Sequence, residues 1–287
     1  MLKKSAALLM AVFLLLMLAS CSYEQQEITE EYVQTENGYA LKRFEGPSTM
    51  ATFTVKDAVD GTPVTELLEF SIANAEYLEE IYIGKNISRI DSWALANCPK
   101  LKAIHVDEEN PYFCSVDGVL FTKDMKTLLA YPNNSHGVTY DWTGAYATFG
   151  QYAVPDCVEV INDRAFYKCT GLGKIVFPDN LQEIGIRAFT RCENLENFEL
   201  PNTLVRIGED AFSFCAKLTK MYIPASVETI EDYAFFGANA IEKFQMERAD
   251  ESGMSLSSTW LPVKQKESSL INETTPVEWG VGRDQHE

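Results

Sequence analysis

The chain has 287 residues, and 46% of them are hydrophobic, which is enough apolar material for one or two folded domains with a buried core. Its 42 acidic residues outnumber 24 lysines and arginines, so the formal net charge at pH 7 is −18. Because nucleic acids bind clustered basic side chains that neutralise their phosphates, this balance argues against a nucleic-acid partner.

Residues 1–20 have the pattern of an export signal. Two lysines precede an apolar run over 6–19, which is shorter than the ~20 residues that a membrane-spanning helix needs. The sequence LASC, which ends at Cys21, resembles the lipobox of bacterial lipoproteins. The resemblance implies that Cys21 carries acyl chains and holds the protein on a membrane outside the cytoplasm. Residues 21–36 then predict an acidic spacer. The alternative is an ordinary signal peptide that ends in a cysteine.

An internal repeat of 23 residues organises most of the chain. Ile184 and Ile207 are 23 residues apart, and the same interval relates the Ala-Phe pairs, the leucines and the prolines that follow them. The units form two blocks, residues 67–106 and 158–249, separated by an insert over 107–157. The residues equivalent to Ile184 in the six units are Leu67, Ile90, Ile161, Ile184, Ile207 and Ile230.

Each unit has a pattern close to I-x-x-x-A-F-x-x-C-x-x-L-x-x-I-x-L-P. The apolar residues of I-x-L fit one face of a short β-strand, and Pro fits the strand end because it lacks an N–H donor. The acidic residues before Ala-Phe, such as Glu209 and Asp210, predict a short helical turn with acids at its N-terminus. One such unit cannot bury its apolar side alone. We therefore expect an α/β solenoid of stacked 23-residue units with a continuous core.

This pattern resembles the BspA-like class of leucine-rich repeats over residues 60–247. The first and last units depart from it, with Ser71-Ile72 in place of Ala-Phe and Ala238 in place of Cys, as terminal units would. The resemblance implies a leucine-rich repeat solenoid with N-terminal cap strands over 37–66. It also implies a microbial surface protein that acts in adhesion and protein–protein interaction.

The insert and the C-terminus break the period. Two strand-like runs, 119–121 and 127–132, are joined by five residues, which predicts a β-hairpin. Alternating apolar residues after Gly137 predict a further strand. The insert either continues the sheet as irregular coils or protrudes and contributes to binding. Residues 250–287 are expected to form a C-terminal cap and a flexible tail.

No motif in the sequence predicts catalysis, a metal site or a cofactor. The sequence lacks the motifs that surround catalytic nucleophiles and the motif of phosphate-binding loops. A zinc site would usually need Cys-x-x-Cys pairs, and none occurs. Cys114 and Cys157 lie outside the repeat, and the sequence does not decide whether they form a disulfide with each other. Four cysteines share one repeat slot and are expected to be buried, reduced core residues: Cys98, Cys169, Cys192 and Cys215.

One side of each predicted strand should face outward and present a file of polar and aromatic side chains. Tyrosine is enriched at interaction hot spots, so the file is a candidate interaction surface. The alternative is that these residues serve only strand propensity and solubility. The candidate residues are Tyr82, His105, Lys174, Glu199, Lys220, Tyr222 and Lys243.

The sequence therefore predicts a non-enzymatic, lipid-anchored cell-surface protein that binds another macromolecule through a rigid repeat surface. The partner would be a host or bacterial surface protein or glycan, and the membrane would be contacted only through the lipid anchor. One alternative is a structural envelope-spacing lipoprotein without a defined ligand. Another is a surface hydrolase that uses the insert, with His136 as a candidate residue.

Overall fold

The computed structural model describes residues 27–135, 139–140, 147–265 and 272–282. Within these ranges the regular elements are all β-strands, and no helix of the length and apolar character needed to cross a membrane is present. The export signal over 1–20, Cys21 and His136 lie outside the described residues.

An antiparallel pair begins the fold. β1 (Thr29–Thr35) pairs with β2 (Gly38–Glu45), so residues 29–35 of the predicted spacer belong to the folded cap. β2 continues in parallel with β5 (Thr62–Leu67). The short strands between them are β3 (Thr52–Thr54) and β4 (Ala58–Val59).

The first repeat block follows this cap. Its strands are β6 (Glu80–Ile83), β7 (Arg89–Ile90) and β8 (Ala103–Val106). β3, β6 and β8 form one parallel sheet, in which Ile81 pairs with Ile104. β7 pairs in parallel with β5 at Leu67 and Ile90. Residues 23 apart are therefore direct neighbours on adjacent strands.

The insert continues the solenoid in an irregular form. Its strands are β9 (Phe113–Val116), β10 (Val119–Thr122), β11 (Thr127–Ala130), β12 (Thr139–Tyr140), β13 (Ala147–Thr148) and β14 (Gly150–Ala153). β10 and β11 are antiparallel, which confirms the predicted hairpin. The ring of Tyr131 stacks on Phe166 with centroids 4.8 Å apart, so the insert extends the aromatic core of the second block.

The second repeat block and the C-terminal cap complete the chain. The block has strands β15 (Val160–Ile161), β16 (Leu172–Val176), β17 (Glu183–Ile184), β18 (Arg206–Ile207), β19 (Lys220–Ile223), β20 (Thr229–Ile230) and β21 (Lys243–Met246). The cap has β22 (Ser255–Leu256), β23 (Val263–Gln265), β24 (Asn272–Thr274) and β25 (Val277–Trp279). An eight-stranded sheet runs in the order β22-β20-β18-β17-β15-β11-β10-β9.

The core consists of columns of equivalent side chains. Ile184 pairs with Ile207 on β17 and β18, and both are fully buried. The rings of Phe166, Phe189, Phe212 and Phe235 are also fully buried and stack nearly parallel from one coil to the next. The predicted 23-residue stacking into a continuous apolar core is confirmed.

The predicted helical turn is wrong. Arg187 and Arg191, on either side of the Ala188-Phe189 pair, have positive φ angles of 58° and 61°, which interrupt the right-handed geometry of a helix. The N–H groups of Arg187, Phe189 and Arg191 donate to carbonyls of the next coil at 2.7–2.8 Å. Because these donors bond between coils instead of within one segment, the chain forms stacked turns.

Candidate interaction surface

The outward-facing residues of β6, β8, β16, residues 195–200, β19 and β21 form what we call the strand face. Residues 195–200 occupy the equivalent place in their unit but are not a β-strand. The seven predicted surface residues all belong to the strand face. Four of them are exposed, namely Tyr82, Lys174, Glu199 and Lys220, and three are half-buried, namely His105, Tyr222 and Lys243.

Tyr82 and His105 form a stacked pair on adjacent strands. The ring centroids are 4.5 Å apart with an interplanar angle of 21°. Tyr82 Oη donates to Glu80 Oε2 at 2.9 Å, and this hydrogen bond raises the pKa of the exposed Tyr82 phenol. His105 Nε2 lies 3.7 Å from the same carboxylate oxygen. The three side chains therefore form one ordered, solvent-facing group that combines aromatic area with a carboxylate.

The other predicted residues lie in the second repeat block. Lys220 and Lys243 are direct neighbours in the register of β19 and β21. Lys243 Nζ forms an ion pair with Glu278 Oε2 of the C-terminal cap at 2.8 Å, whereas Lys174 and Glu199 point to solvent. The structure thus brings Tyr82 and His105 together, but it does not bring Tyr222 to them.

The buried cysteines explain the Cys slot of the repeat. Cys192 Sγ donates to the carbonyl of Phe166 at 3.1 Å, and Cys215 Sγ donates to the carbonyl of Phe189 at 3.2 Å. Burial raises the pKa of Cys192 to about 12, so the thiol stays protonated. A small side chain with one weak donor therefore satisfies a carbonyl of the preceding coil inside the core.

The two other described cysteines lie outside the repeat slot. Cys114 and Cys157 are both free thiols, with Cys114 half-buried and Cys157 exposed. Cys114 Sγ lies 3.4 Å from both the Thr122 carbonyl and Met125 Sδ. Among the described residues, no group of three or more His, Cys, Asp or Glu side chains is arranged to hold a metal ion.

The turns of the solenoid expose an aromatic surface that the sequence analysis did not select. Phe70, Phe214, Tyr233 and Phe236 are among the exposed large hydrophobic residues. They occupy the variable positions beside the Ala-Phe and Cys slots, so a count of aromatic residues at those positions would have identified them. The repeat pattern is defined by the buried positions, so it does not predict these exposed residues.

Comparison with protein families matches residues 42–116 and 145–252 to the BspA type leucine rich repeat region, in six copies. This match covers more than half of the chain. A search of curated proteins found no significant match.

Similar solved structures include the pneumococcal vaccine antigen PcpA, which is 17% identical with a TM-score of 0.48 and covers 79% of this chain and 85% of its own. A leucine rich cell surface protein from Faecalibacterium prausnitzii A2-165 is 15% identical with a TM-score of 0.43, over 90% of this chain and 96% of its own. A leucine-rich repeat protein from Bacteroides ovatus ATCC 8483 is 15% identical with a TM-score of 0.36, over 83% and 77%.

Proposed function

Since this chain belongs to the BspA type leucine-rich repeat family, we propose that it is a lipid-anchored, extracytoplasmic bacterial protein that binds another macromolecule through the strand face. Binding requires no catalytic step. The partner is a protein or glycan of the host or of the bacterial surface, and the role is one of adhesion or protein–protein interaction.

The stacked Tyr82–His105 pair carries this proposal. An exposed aromatic pair at 4.5 Å, held by a hydrogen bond to Glu80, offers a rigid apolar contact beside a negative charge. Ordering of such side chains before binding lowers the entropic cost of association. A repeat solenoid supports this because its stacked coils present an extended surface whose geometry is set by folding.

The location follows from the N-terminal sequence. The lysines and apolar run before LASC support export, and acyl chains on Cys21 would hold the protein at the membrane. Replacement of Cys21 by Ala in the native host should move the protein from the membrane fraction into the medium or the periplasm. Retention of the Cys21→Ala variant on the membrane would contradict lipid anchoring.

Binding is tested with the chain that begins at Ser22, immobilised and exposed to envelope or host-matrix extract. Wild type is expected to retain a saturable partner, and the Tyr82→Ala/Tyr222→Ala variant is expected to lose it. Tyr112→Ala is the matched control, because Tyr112 is an exposed tyrosine outside the strand face. Equal capture by all three proteins would contradict a role for the strand face. Absence of any saturable partner would favour an envelope-spacing role.

A further inference from the structure

We define the turn edge as the set of turn segments that hold the Ala and Cys slots of the units. These segments are 70–75, 93–98, 164–169, 187–192, 210–215 and 233–238. In these segments the residue before the Cys slot, and in most of them also the residue before the Ala slot, has a positive φ angle. Only Gly, Asn and Asp adopt such left-handed geometry at little cost. At seven of these positions the side chain is instead aromatic or cationic, with φ between 57° and 61°: Phe70, Arg164, Lys168, Arg187, Arg191, Phe214 and Tyr233.

Burial does not compensate for the strained backbone at the aromatic positions. Phe70 is 52% exposed, Phe214 is 38% exposed and Tyr233 is 44% exposed. An asparagine at each position would relieve the strain and remove exposed apolar area. Since strained residues of this kind persist where they serve a function, their location points to a binding surface.

The rings gather in two clusters along the turn edge. Phe70 contacts Trp93 with centroids 5.2 Å apart, and Trp93 contacts Tyr167 at 5.2 Å, although Trp93 and Tyr167 come from different repeat blocks. At the other end, Phe236 lies 5.4 Å from Phe214 and 5.8 Å from Tyr233. Each cluster joins neighbouring coils and forms a compact apolar patch on the surface.

Cations without close carboxylates lie between the two clusters. Lys168 Nζ donates to Asn97 Oδ1 at 3.0 Å, and Arg191 lies 5.0 Å over the Phe214 ring. Neither forms an ion pair within the described ranges. Arg164 stacks 4.2 Å over Trp93, pairs with Asp163 at 4.0 Å and donates to Ser92 Oγ at 3.0 Å, and Arg187 pairs with Asp210 at 3.0 Å. In a chain with a net charge of −18, the unpaired charges of Lys168 and Arg191 are complementary to a negatively charged partner.

The ring geometry indicates which kind of acidic partner fits. Phe214 and Phe236 meet at 88°, Tyr233 and Phe236 meet at 81°, and the Arg164 guanidinium covers a face of Trp93. These edge-to-face contacts do not present a row of parallel flat faces on which sugar rings could stack, and this favours aliphatic side chains as the apolar part of the partner. Trp, Tyr and Arg are also the residues that dominate protein–protein hot spots.

We propose that the turn edge is a second interaction surface, separate from the strand face, that binds an acidic polypeptide segment with apolar side chains. The partner's carboxylates pair with Lys168 and Arg191. Its apolar side chains contact the two aromatic clusters. Because the two surfaces use different residues, this binding does not depend on the partner of the strand face.

The test uses the chain that begins at Ser22 and a fluorescein-labelled peptide of repeated Glu-Glu-Leu triplets, followed by fluorescence anisotropy. One variant, Phe70→Asn/Phe214→Asn/Tyr233→Asn, removes exposed aromatic rings. The other, Lys168→Asn/Arg191→Asn, removes the unpaired cations. Asn accepts left-handed geometry, so both variants should fold with unchanged or higher thermal midpoints. Each is expected to weaken peptide binding about tenfold or more, whereas Lys174→Asn on the strand face leaves it unchanged.

Wild-type binding should also weaken on going from low salt to about 0.15 M, because the cations and the peptide attract each other through solvent. A Gln-Gln-Leu or Lys-Lys-Leu peptide that binds as well as Glu-Glu-Leu would overturn the proposal. Folded turn-edge variants that bind like wild type would also overturn it, as would absence of peptide binding by wild type. Preferential binding of polygalacturonate over the peptide would assign the surface to an acidic polysaccharide and reject the polypeptide.

Discussion

The ring of Phe189 lies 5.2 Å from the ring of Phe212, with an angle of only 3° between their planes. The two residues are 23 positions apart and fully buried. The same contact recurs between Phe212 and Phe235 at 5.4 Å and 9°. Each ring therefore packs against the coils before and after it, so the aromatic column connects successive units.

Replacement of Phe189 by Ala should destabilise the protein by about 3–5 kcal/mol, because it leaves a cavity between the rings of Phe166 and Phe212. The free energy of unfolding is measured by urea denaturation of the chain that begins at Ser22. Val205→Ala is the control, since Val205 is exposed and its loss should change stability by less than about 0.5 kcal/mol. Similar losses for both variants would contradict the role of the column.

Asn110→Ala should destabilise the protein by at least about 2 kcal/mol, because it removes four hydrogen bonds made by a fully buried side chain. Asn110 Nδ2 donates to the carbonyls of Gly84 and Ile87 at 2.9 Å, and its Oδ1 accepts the N–H groups of Tyr112 and Phe113.

The matched control for this variant is Asn180→Ala, which removes one exposed bond to the carbonyl of Asp156. Urea denaturation should detect almost no change in the control. An equally small effect of Asn110→Ala would show that the start of the insert is not held by this side chain.

Iodoacetamide should label the native protein at Cys157 first and at Cys114 more slowly, since only Cys157 is exposed and burial raises the pKa of Cys114. The buried thiols of the repeat should react only after unfolding. Mass spectrometry of the unreduced, unfolded chain that begins at Ser22 should then find six alkylated cysteines. Four labels, with Cys114 and Cys157 both protected, would instead identify a disulfide between them.

Stability should fall at alkaline pH. Burial raises the pKa of Cys98 to about 11 and that of Cys192 to about 12, whereas an unfolded thiol titrates near ~8.5. A raised folded-state pKa leaves stability unchanged below the unfolded value. Stability is then lost as the pH rises from about 9 towards 12, because only the unfolded chain ionises easily.

Urea midpoints measured on both sides of pH 9 test this expectation. Cys192→Ala should lose less stability on alkalinisation than wild type does, since it lacks one of the responsible thiols. This comparison also separates the thiol from Tyr131 and Tyr152, whose pKa values burial raises in the same direction. An identical pH dependence in wild type and variant would contradict the assignment.

The regular spacing of apolar residues allowed the solenoid to be predicted from the sequence. When apolar residues such as Ile184 and Ile207 recur at a constant interval, stacking is the arrangement that buries all of them together, so the core columns follow from the pattern itself. The hairpin of β10 and β11 was also readable, because its strand signals and its connection are local. The outward positions of Tyr82 and His105 followed from strand alternation.

The conformation of the turns and the composition of the turn edge depended on the tertiary structure. Glu209 and Asp210 before Ala-Phe predicted a helical turn, yet alternate backbone donors of each turn bond to the next coil, and the turns contain residues with left-handed φ angles. Asn110 occupies a slot that is aliphatic in other units, such as Ile87, and only the fold supplies its four partners.

Trp93 and Tyr167 show the same limit, since 74 positions separate them and they meet only because the irregular insert lets the second block stack beside the first. A periodic pattern specifies which residues are buried together. It does not specify which exposed side chains become neighbours, because that depends on how the insert and the turns place each coil.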